Sequence, residues 1–184
     1  MGVHAVRGHP SAARLPREAQ LTWKMAEVAA AAPPPEAAVA QMVSCRVVDH
    51  AGVALAAINR PPVATARGMA LAHPRPHGVT RMGLPAAIRV QAEWACWANA
   101  TAGREWDWHD GVAPGAHPGD NIAPLMAVAQ QMACDGAALV RAMAVAYAVQ
   151  GALVKGMPLA PTQKEQTGHL CPATTAGLGA LLGS

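Results

Sequence analysis

Prolines divide this chain into segments of helical length. The prolines at 33–35, the pair Pro61 and Pro62, and Pro74 each follow a stretch in which apolar residues recur at helical spacing. Because proline breaks a helix and disfavours helix at the residue before it, each of these sites predicts a helix end. The pattern therefore constrains the chain to fold as several separate helices.

The residue types also favour helix over strand. The chain contains no Phe and one Tyr, and its hydrophobic residues, 52% of the total, are mainly Ala with Val, Leu and Met. Ala, Leu and Met favour helices, whereas aromatic residues are typical of strands. With 184 residues, the chain is long enough for one domain with a core. We predict an all-α fold, with a thin core because small side chains bury little area.

The spacing predicts the following elements. Helices are expected over 21–32, 36–58, 63–72, 86–102, 122–134 and 137–157, with a last helix beginning at Cys171, a loop over 72–85 that contains a short strand at Val79 to Met82, and another loop over 158–168. In the helix over 36–58 the apolar stripe is Val39, Met42, Val43, Val47, Ala51, Leu55 and Ile58. Trp94 and Trp97 share a helical face, which favours core packing for both. Residues 1–20 are polar and predict an N-terminal arm, and residues 21–184 are assigned to a helical domain that looks truncated at the tail helix.

Charge and hydropathy exclude several classes of protein. The net charge is +3 and the basic residues are scattered, so no stretch is typical of nucleic-acid binding. The longest apolar run, 142–149, is too short to span a membrane, and the N-terminus lacks a signal-peptide pattern. No two cysteines have C-x-x-C spacing. We therefore expect a cytoplasmic protein with reduced thiols and without metal or membrane attachment. The mild positive charge suits an anionic small molecule.

The stretch WDWHDGVAPGAHPGDN, 106–121, concentrates ionisable groups on irregular backbone. Asp107 and His117 supply a carboxylate and an imidazole, the minimum for general acid–base catalysis. Asp120 is a good N-cap for the helix that follows, whose N-terminus would attract an anion. Lys155 could bind a substrate carboxylate, and His169 begins the tail helix.

Other interpretations of this loop remain open. Asp120 as a cap, and Asp107 and Asp110 as solvated charges, would give a loop without function. A metal site made of Asp107, His109 and His117 is a weaker hypothesis, because its spacing matches no closed metal site.

Several segments resemble the 2-methylcitrate dehydratase family, MmgE/PrpD. The segment HPSAARLPREAQLTWKMAEVA resembles the N-terminal arm of actinobacterial-type members, and EWACWANATAGREWDWHDGVAPGAHPGDNIAPLMAVAQ resembles the active-site loop, with HPGDNIAP as its most specific part. The segments VVDHAGVALAAINRPPVATARGMALAH, RAMAVAYAVQGALVKGMPL and HLCPATTAGLGALLG resemble helices of the family.

The resemblance implies a function and a set of residues. It implies dehydration of 2-methylcitrate to 2-methyl-cis-aconitate in propionate breakdown, without an iron–sulfur cluster or another cofactor. The substrate would be a tricarboxylate, and full-length members would form homodimers. Asp107 and His117 match catalytic positions of the family, and Lys155 and His169 are assigned to substrate binding. The resemblance covers the N-terminal, helical part of the family and not its smaller α/β domain.

Departures from the family pattern leave two alternatives. Gly111 stands where the family loop has Thr, and Glu165 and Gln166 stand where an Asp-His pair precedes the histidine that His169 matches. Because these groups are missing and family chains are more than twice as long, we expect residues 1–184 alone to lack dehydratase activity. One alternative is an inactive helical fragment or interaction module, and the other is a lyase that decarboxylates cis-aconitate.

Overall fold

Seven helices account for most of the computed structural model, which describes residues 7–113 and 115–183. They are α1 (Leu21–Ala30), α2 (Ala37–Ala56), α3 (Pro61–Leu71), α4 (Ala92–Arg104), α5 (Ile122–Gln131), α6 (Gly136–Gly156) and α7 (Leu170–Leu182). One short strand, β1 (Pro74–Val79), is the only strand in the described ranges, and it belongs to no sheet. The predicted all-α class is confirmed. All four cysteines are free thiols.

The helix ends follow the prolines and caps. Helix α3 begins at Pro61 rather than at 63, because proline lacks an N–H and fits the first turn of a helix without losing a bond. Asp135 caps α6, since its side chain accepts a hydrogen bond of 2.7 Å from the Ala138 N–H. The arm over 7–20 is almost entirely exposed and contains one 3-10 turn, Arg17–Ala19. Residues 1–6 of the predicted arm lie outside the described residues.

The predicted helix over 86–102 was wrong in its first six residues. Helix α4 begins at Ala92, whereas residues 86 and 87 form a turn and residues 89–91 run antiparallel to β1. Val90 is fully buried and forms antiparallel bridges with Pro74 and Val79. Gly78 allows this approach, because a Cβ there would overlap the Val90 carbonyl oxygen. The predicted strand at 79–82 accordingly lies earlier, at 74–79.

Helix α6 is the centre of the fold. It packs along α7 and also contacts α2 and α5. Helix α6 and its neighbours together form a cluster of buried residues that includes Val43, Ile122, Leu125, Met143 and Leu181. Gly177 of α7 brings the two helices close together, since a Cβ there would lie 3.0 Å from the Ala142 carbonyl oxygen. Small side chains thus let the helices approach each other closely, and this close packing fills the core in place of large side chains.

Helix α6 alone among the described helices has the length and apolar composition to cross a membrane. The uninterrupted apolar run, 142–149, is shorter than this helix, because further apolar residues lie beyond Arg141 and Gln150. However, α6 carries the fully buried Gln150 and also Arg141, whose Nη2 donates to the Ala180 carbonyl oxygen at 2.8 Å. We therefore interpret α6 as the core helix of the domain. The cytoplasmic location stays a prediction.

The apolar stripe predicted for α2 was wrong in part. Val43 is buried, but Val39, Met42 and Leu55 are exposed, and His50 occupies the buried face instead. The prediction for the two tryptophans also holds only for Trp94, which is half-buried and stacks on His73 with ring centroids 4.0 Å apart. Trp97 is 42% exposed and meets Trp94 edge-on, with ring centroids 5.7 Å apart.

Candidate active site

The loop after α4 is anchored by the buried carboxylate of Asp110. Its Oδ1 accepts a hydrogen bond of 2.7 Å from the Gly119 N–H, and its Oδ2 accepts one of 2.8 Å from the Tyr147 hydroxyl of α6. Burial and the negative charge of Asp110 raise the pKa of Tyr147, so its hydroxyl stays protonated as a donor. The guanidinium of Arg46 on α2 lies 3.7 Å from the same Oδ2. Asp110 is therefore a structural group and not a solvated charge.

A tight turn places His117 beside this anchor. The Val112 N–H donates to the Ala116 carbonyl oxygen at 2.8 Å, and the Ala116 N–H donates back at 3.0 Å. The ring Nδ1 of His117 lies 2.8 Å from the Asp110 carbonyl oxygen. Since a carbonyl oxygen only accepts, Nδ1 carries the proton, and in the neutral ring Nε2 is left as a free base.

Asp107 faces this free nitrogen. Its Oδ1 lies 3.9 Å from His117 Nε2, too far for a direct hydrogen bond but suited to an atom shared between the two groups. The backbone of Asp107 is left-handed, with φ at +54°, a conformation that Asp tolerates better than most residues. The Asp107 N–H donates to the Arg104 carbonyl oxygen at 3.0 Å, and its carboxylate pairs with Arg104 Nη1 at 3.1 Å. The two predicted catalytic residues are thus brought together.

Asp120 does not cap α5, contrary to the prediction from sequence. It lies in a 3-10 turn, Pro118–Asn121, and the caps of that turn and of α5 make no side-chain hydrogen bond. Its Oδ1 instead lies 3.0 Å from His109 Nε2. Burial raises the pKa of Asp120, but the hydrogen bond from His109 and the charge of Arg104 outweigh burial and hold that pKa below its ordinary value. The turn moves the carboxylate away from the first N–H groups of α5.

The structure also gathers the three residues of the metal hypothesis. Single ligand atoms of Asp107, His109 and His117 lie within 4.8 Å of one another. However, Arg104 Nη1 lies 3.1 Å from Asp107 and 3.2 Å from His109 Nε2. That nitrogen of His109 also lies 3.0 Å from Asp120 Oδ1, so it is already engaged by a carboxylate and a guanidinium. A guanidinium already supplies the positive charge, so the arrangement favours an ion-pair network over a metal centre.

A cavity of about 340 Å³ opens beside these groups. Its polar lining comprises Arg104, Asp107, His117, Lys164, Glu165, Gln166 and His169. His169 is buried, and its Nδ1 has no hydrogen-bond partner within the described residues. Gln166 belongs to the 3-10 turn Gln166–His169, and its Oε1 accepts a hydrogen bond of 3.3 Å from the His117 N–H.

Lys155 is not part of this cavity. Val154 lines the cavity, and Lys155, the next residue of α6, is exposed on another face. Successive side chains of a helix diverge by about 100° around its axis, which explains the separation. Lys164, in the segment between α6 and α7, supplies a lysine to the cavity instead.

A comparison with protein families identifies the domain. The model of the MmgE/PrpD N-terminal domain matches residues 19–184. The chain belongs to the MmgE/PrpD family. Members of the MmgE/PrpD family are generally hydro-lyases, so the family relationship supports dehydratase chemistry in general. The resemblance to the helical N-terminal domain is confirmed, whereas an actinobacterial type is not tested by it.

Several residues of this MmgE/PrpD site were not predicted from the sequence. Arg104 and Lys164 line the cavity, and Tyr147 donates a hydrogen bond to Asp110, which anchors the loop. Arg104 stands three residues before Asp107, a spacing at which helical side chains meet, and this signal was available. Lys164 and Tyr147 come from segments far from the loop in sequence. Residue spacing therefore does not predict that they lie near it.

Proposed function

We propose that this domain binds a tricarboxylate in the cavity beside Asp107 and His117 and takes part in the dehydration of 2-methylcitrate. The observation that carries the proposal is the 3.9 Å gap between Asp107 Oδ1 and His117 Nε2 at the edge of a cavity that also contains Arg104 and Lys164. At about 340 Å³ the cavity has the size of a small-molecule site. Two cations on its wall suit a polyanion.

The pair can carry out the elimination with a balanced transfer of protons. The Asp107 carboxylate accepts the proton from the carbon next to a substrate carboxylate. The electron pair of that bond forms the carbon–carbon double bond as the hydroxyl leaves. His117, in its protonated form, donates its Nε2 proton to the hydroxyl, which departs as water. Asp107 then returns its proton to His117 across the short gap, so the pair is restored.

The surrounding residues position these two groups. The Asp110 carbonyl keeps the His117 proton on Nδ1 in the neutral ring, so Nε2 is the atom that faces the substrate. Arg104 holds the Asp107 carboxylate at 3.1 Å. Lys164 and Arg104 are the cations that would bind substrate carboxylates, and His169 lies at the same cavity.

Titration of 2-methylcitrate into purified protein, followed by calorimetry and by ultraviolet absorbance of an unsaturated product, tests the proposal. We expect binding in the wild type. In Asp107→Asn and His117→Gln we expect any turnover to fall by at least about a hundredfold, the usual contribution of one acid–base group. Turnover that persists unchanged in both variants, or the absence of binding by 2-methylcitrate, would contradict the proposal. Binding of cis-aconitate with release of carbon dioxide would instead support the decarboxylase alternative.

A further inference from the structure

A second cavity, of about 150 Å³, lies among α2, α4, α5 and the residues that follow β1. Its polar wall is made of His50, Thr80, Arg81, Asn99 and Gln130. None of these residues lines the cavity of Asp107 and His117. The volume equals that of about five water molecules in the liquid. The cavity therefore has room for a small polar ligand but not for a tricarboxylate together with its hydration.

Arg81 is a buried cation without a partner. Only 3% of it is exposed, and all three of its guanidinium nitrogens lack a hydrogen-bond acceptor in the described part of the chain. It forms no ion pair with any described residue. Burial lowers the pKa of Arg81, and the nearby positive charge of Arg67 lowers it further. Because an unpaired buried charge is strongly unfavourable, these nitrogens require an acceptor.

The wall of the cavity does not supply this acceptor from its amide side chains. Asn99 Oδ1 accepts a hydrogen bond of 2.9 Å from the Met82 N–H. Gln130 Oε1 accepts two, both of 2.9 Å, from the N–H and the hydroxyl of Thr80. The guanidinium of Arg67 cannot help, since it carries the same charge and donates to the Ile58 carbonyl oxygen.

His50 provides a second unpartnered group in the same wall. It is 3% exposed, and neither ring nitrogen has a hydrogen-bond partner among the described residues. Its ring lies directly against Gly103 of α4, where a Cβ would overlap it. A packed imidazole with two free nitrogens can donate to an acceptor as well as fill space.

We propose that this cavity binds a small oxyanion, inorganic phosphate or a short carboxylate, between the Arg81 guanidinium and the His50 ring. The planar fork of an arginine matches two oxygens of either ion. A bound oxyanion would satisfy in one step the nitrogens of Arg81 and one nitrogen of His50. The site is separate from the proposed catalytic cavity and does not depend on the function of that cavity.

Thermal unfolding in increasing inorganic phosphate, and in parallel in acetate, tests this site. We expect the Tm of the wild type to rise with ligand concentration, as for any ligand that binds only the folded state. Arg81→Met should weaken the response by about tenfold or more in ligand concentration, the loss typical of a charge-assisted bond. Arg75→Met removes an exposed arginine of β1 and is the matched control, which should respond as the wild type does.

The outcomes separate the ligands and the proposal from general salt effects. A response to phosphate alone identifies a phosphate site, and a response to acetate alone or to both identifies a carboxylate-tolerant site. An equal rise of Tm in all three proteins is a solvent effect and would overturn the proposal. If Arg81→Met does not fold, the His50 ring resonances of the wild type provide a second measurement. Saturable shifts on addition of phosphate or acetate support the site, and unchanged resonances with both reject it.

Discussion

Asp110 is the residue on which the geometry of the catalytic loop depends. Its carboxylate accepts hydrogen bonds from the Gly119 N–H and the Tyr147 hydroxyl of α6, and it pairs with Arg46 on α2. Its own carbonyl oxygen fixes the ring of His117. One residue thus joins the position of the loop to the protonation of the histidine, although it does not line the cavity itself.

Removal of the Asp110 carboxylate should destabilise the domain. In Asp110→Ala the Gly119 N–H and the Tyr147 hydroxyl lose their acceptor, and each unpaired donor costs about 1–3 kcal/mol. We expect the free energy of unfolding in urea to fall by about 2–4 kcal/mol. Tyr147→Phe, which removes only one of the two bonds, is the control and should cost about 1 kcal/mol. A loss below about 0.5 kcal/mol in Asp110→Ala, the range of ordinary surface changes, would contradict this account of the loop.

His50 should make stability depend on pH near neutrality. Burial first, and then the proximity of His109, lower the pKa of His50 below its ordinary value of 6.5. Between the lowered pKa and 6.5 the unfolded chain binds more protons than the folded one, so stability rises with pH in that window. The contribution is complete above pH 6.5 and decreases as the pH falls below it.

The check is Tm against pH, from about 8 down to about 5, where carboxyl groups begin to contribute. The buffer should contain neither phosphate nor carboxylate, which are the ligands proposed for the second cavity. The decrease of Tm below pH 6.5 should be smaller in His50→Gln than in the wild type. His77→Asn alters an exposed histidine with positive φ, a backbone that Asn accepts, and should retain the decrease. Identical profiles for His50→Gln and the wild type would be the contrary result.

At the residue scale, the sequence predicted which ionisable residues share the loop, but it did not predict where all of their side chains lie. Asp107 and His117 are ten positions apart on one loop that brings them together, and His169 reaches the same cavity. Their catalytic and binding roles stay predictions. Lys155 lies outside that cavity, on a different face of α6 from Val154, and its binding role also stays a prediction. The cap assigned to Asp120 failed because a 3-10 turn precedes α5.

At the scale of elements, two glycines of the loop after α4 differ in how much space surrounds them. Gly119 lies in the 3-10 turn Pro118–Asn121, and Gly111 precedes that turn. A Cβ at Gly119 would lie 2.8 Å from Asp110 Oδ1. A Cβ at Gly111 would meet only the Ala116 carbonyl oxygen, at 3.8 Å. Gly111 is also not among the residues with positive φ. Position 111, where the family resemblance predicts Thr, is therefore open to a larger side chain.

We expect Gly111→Thr and Gly119→Ala to have opposite effects. Gly111→Thr should change the free energy of unfolding by no more than about 0.5 kcal/mol, as surface substitutions do. Gly119→Ala should cost about 1–3 kcal/mol, since the added methyl group displaces the Asp110 carboxylate. Chemical denaturation of both variants under the same conditions measures the difference. Equal stabilities, or a larger loss in Gly111→Thr, would show that the turn is packed differently.

Helix ends were predictable where a local signal defined them, and not where a distant segment did. The prolines gave the boundaries of α1, α2 and α3 to within a few residues, because the effect of proline on the backbone is local. Residues 86–91 were predicted to be helical, yet 86 and 87 form a turn, and pairing of Val90 with β1 keeps the residues beside Val90 extended. Such non-local pairing overrides local propensity.

At the scale of the whole molecule, the helical class and the family were predictable from sequence, and the match over residues 19–184 confirms both. The second cavity was not predicted, because it exists only where α2, α4 and α5 pack against the residues after β1. The division of 1–20 from 21–184, the homodimer and the choice among tricarboxylates stay predictions. The main cavity depends on this packing too, because Asp107 and His117 come from the loop after α4 and Lys164 from the segment between α6 and α7.

The affinity for 2-methylcitrate in two matched lysine variants tests this assembly most directly. Lys164 lines the cavity, whereas Lys155 is exposed outside it. Calorimetric titration should give a dissociation constant about tenfold higher or more in Lys164→Met than in the wild type, the effect of one charge-assisted contact. Lys155→Met should bind as the wild type does. Unchanged affinity in Lys164→Met, or a loss confined to Lys155→Met, would contradict the proposal that the substrate binds in the cavity beside Asp107 and His117.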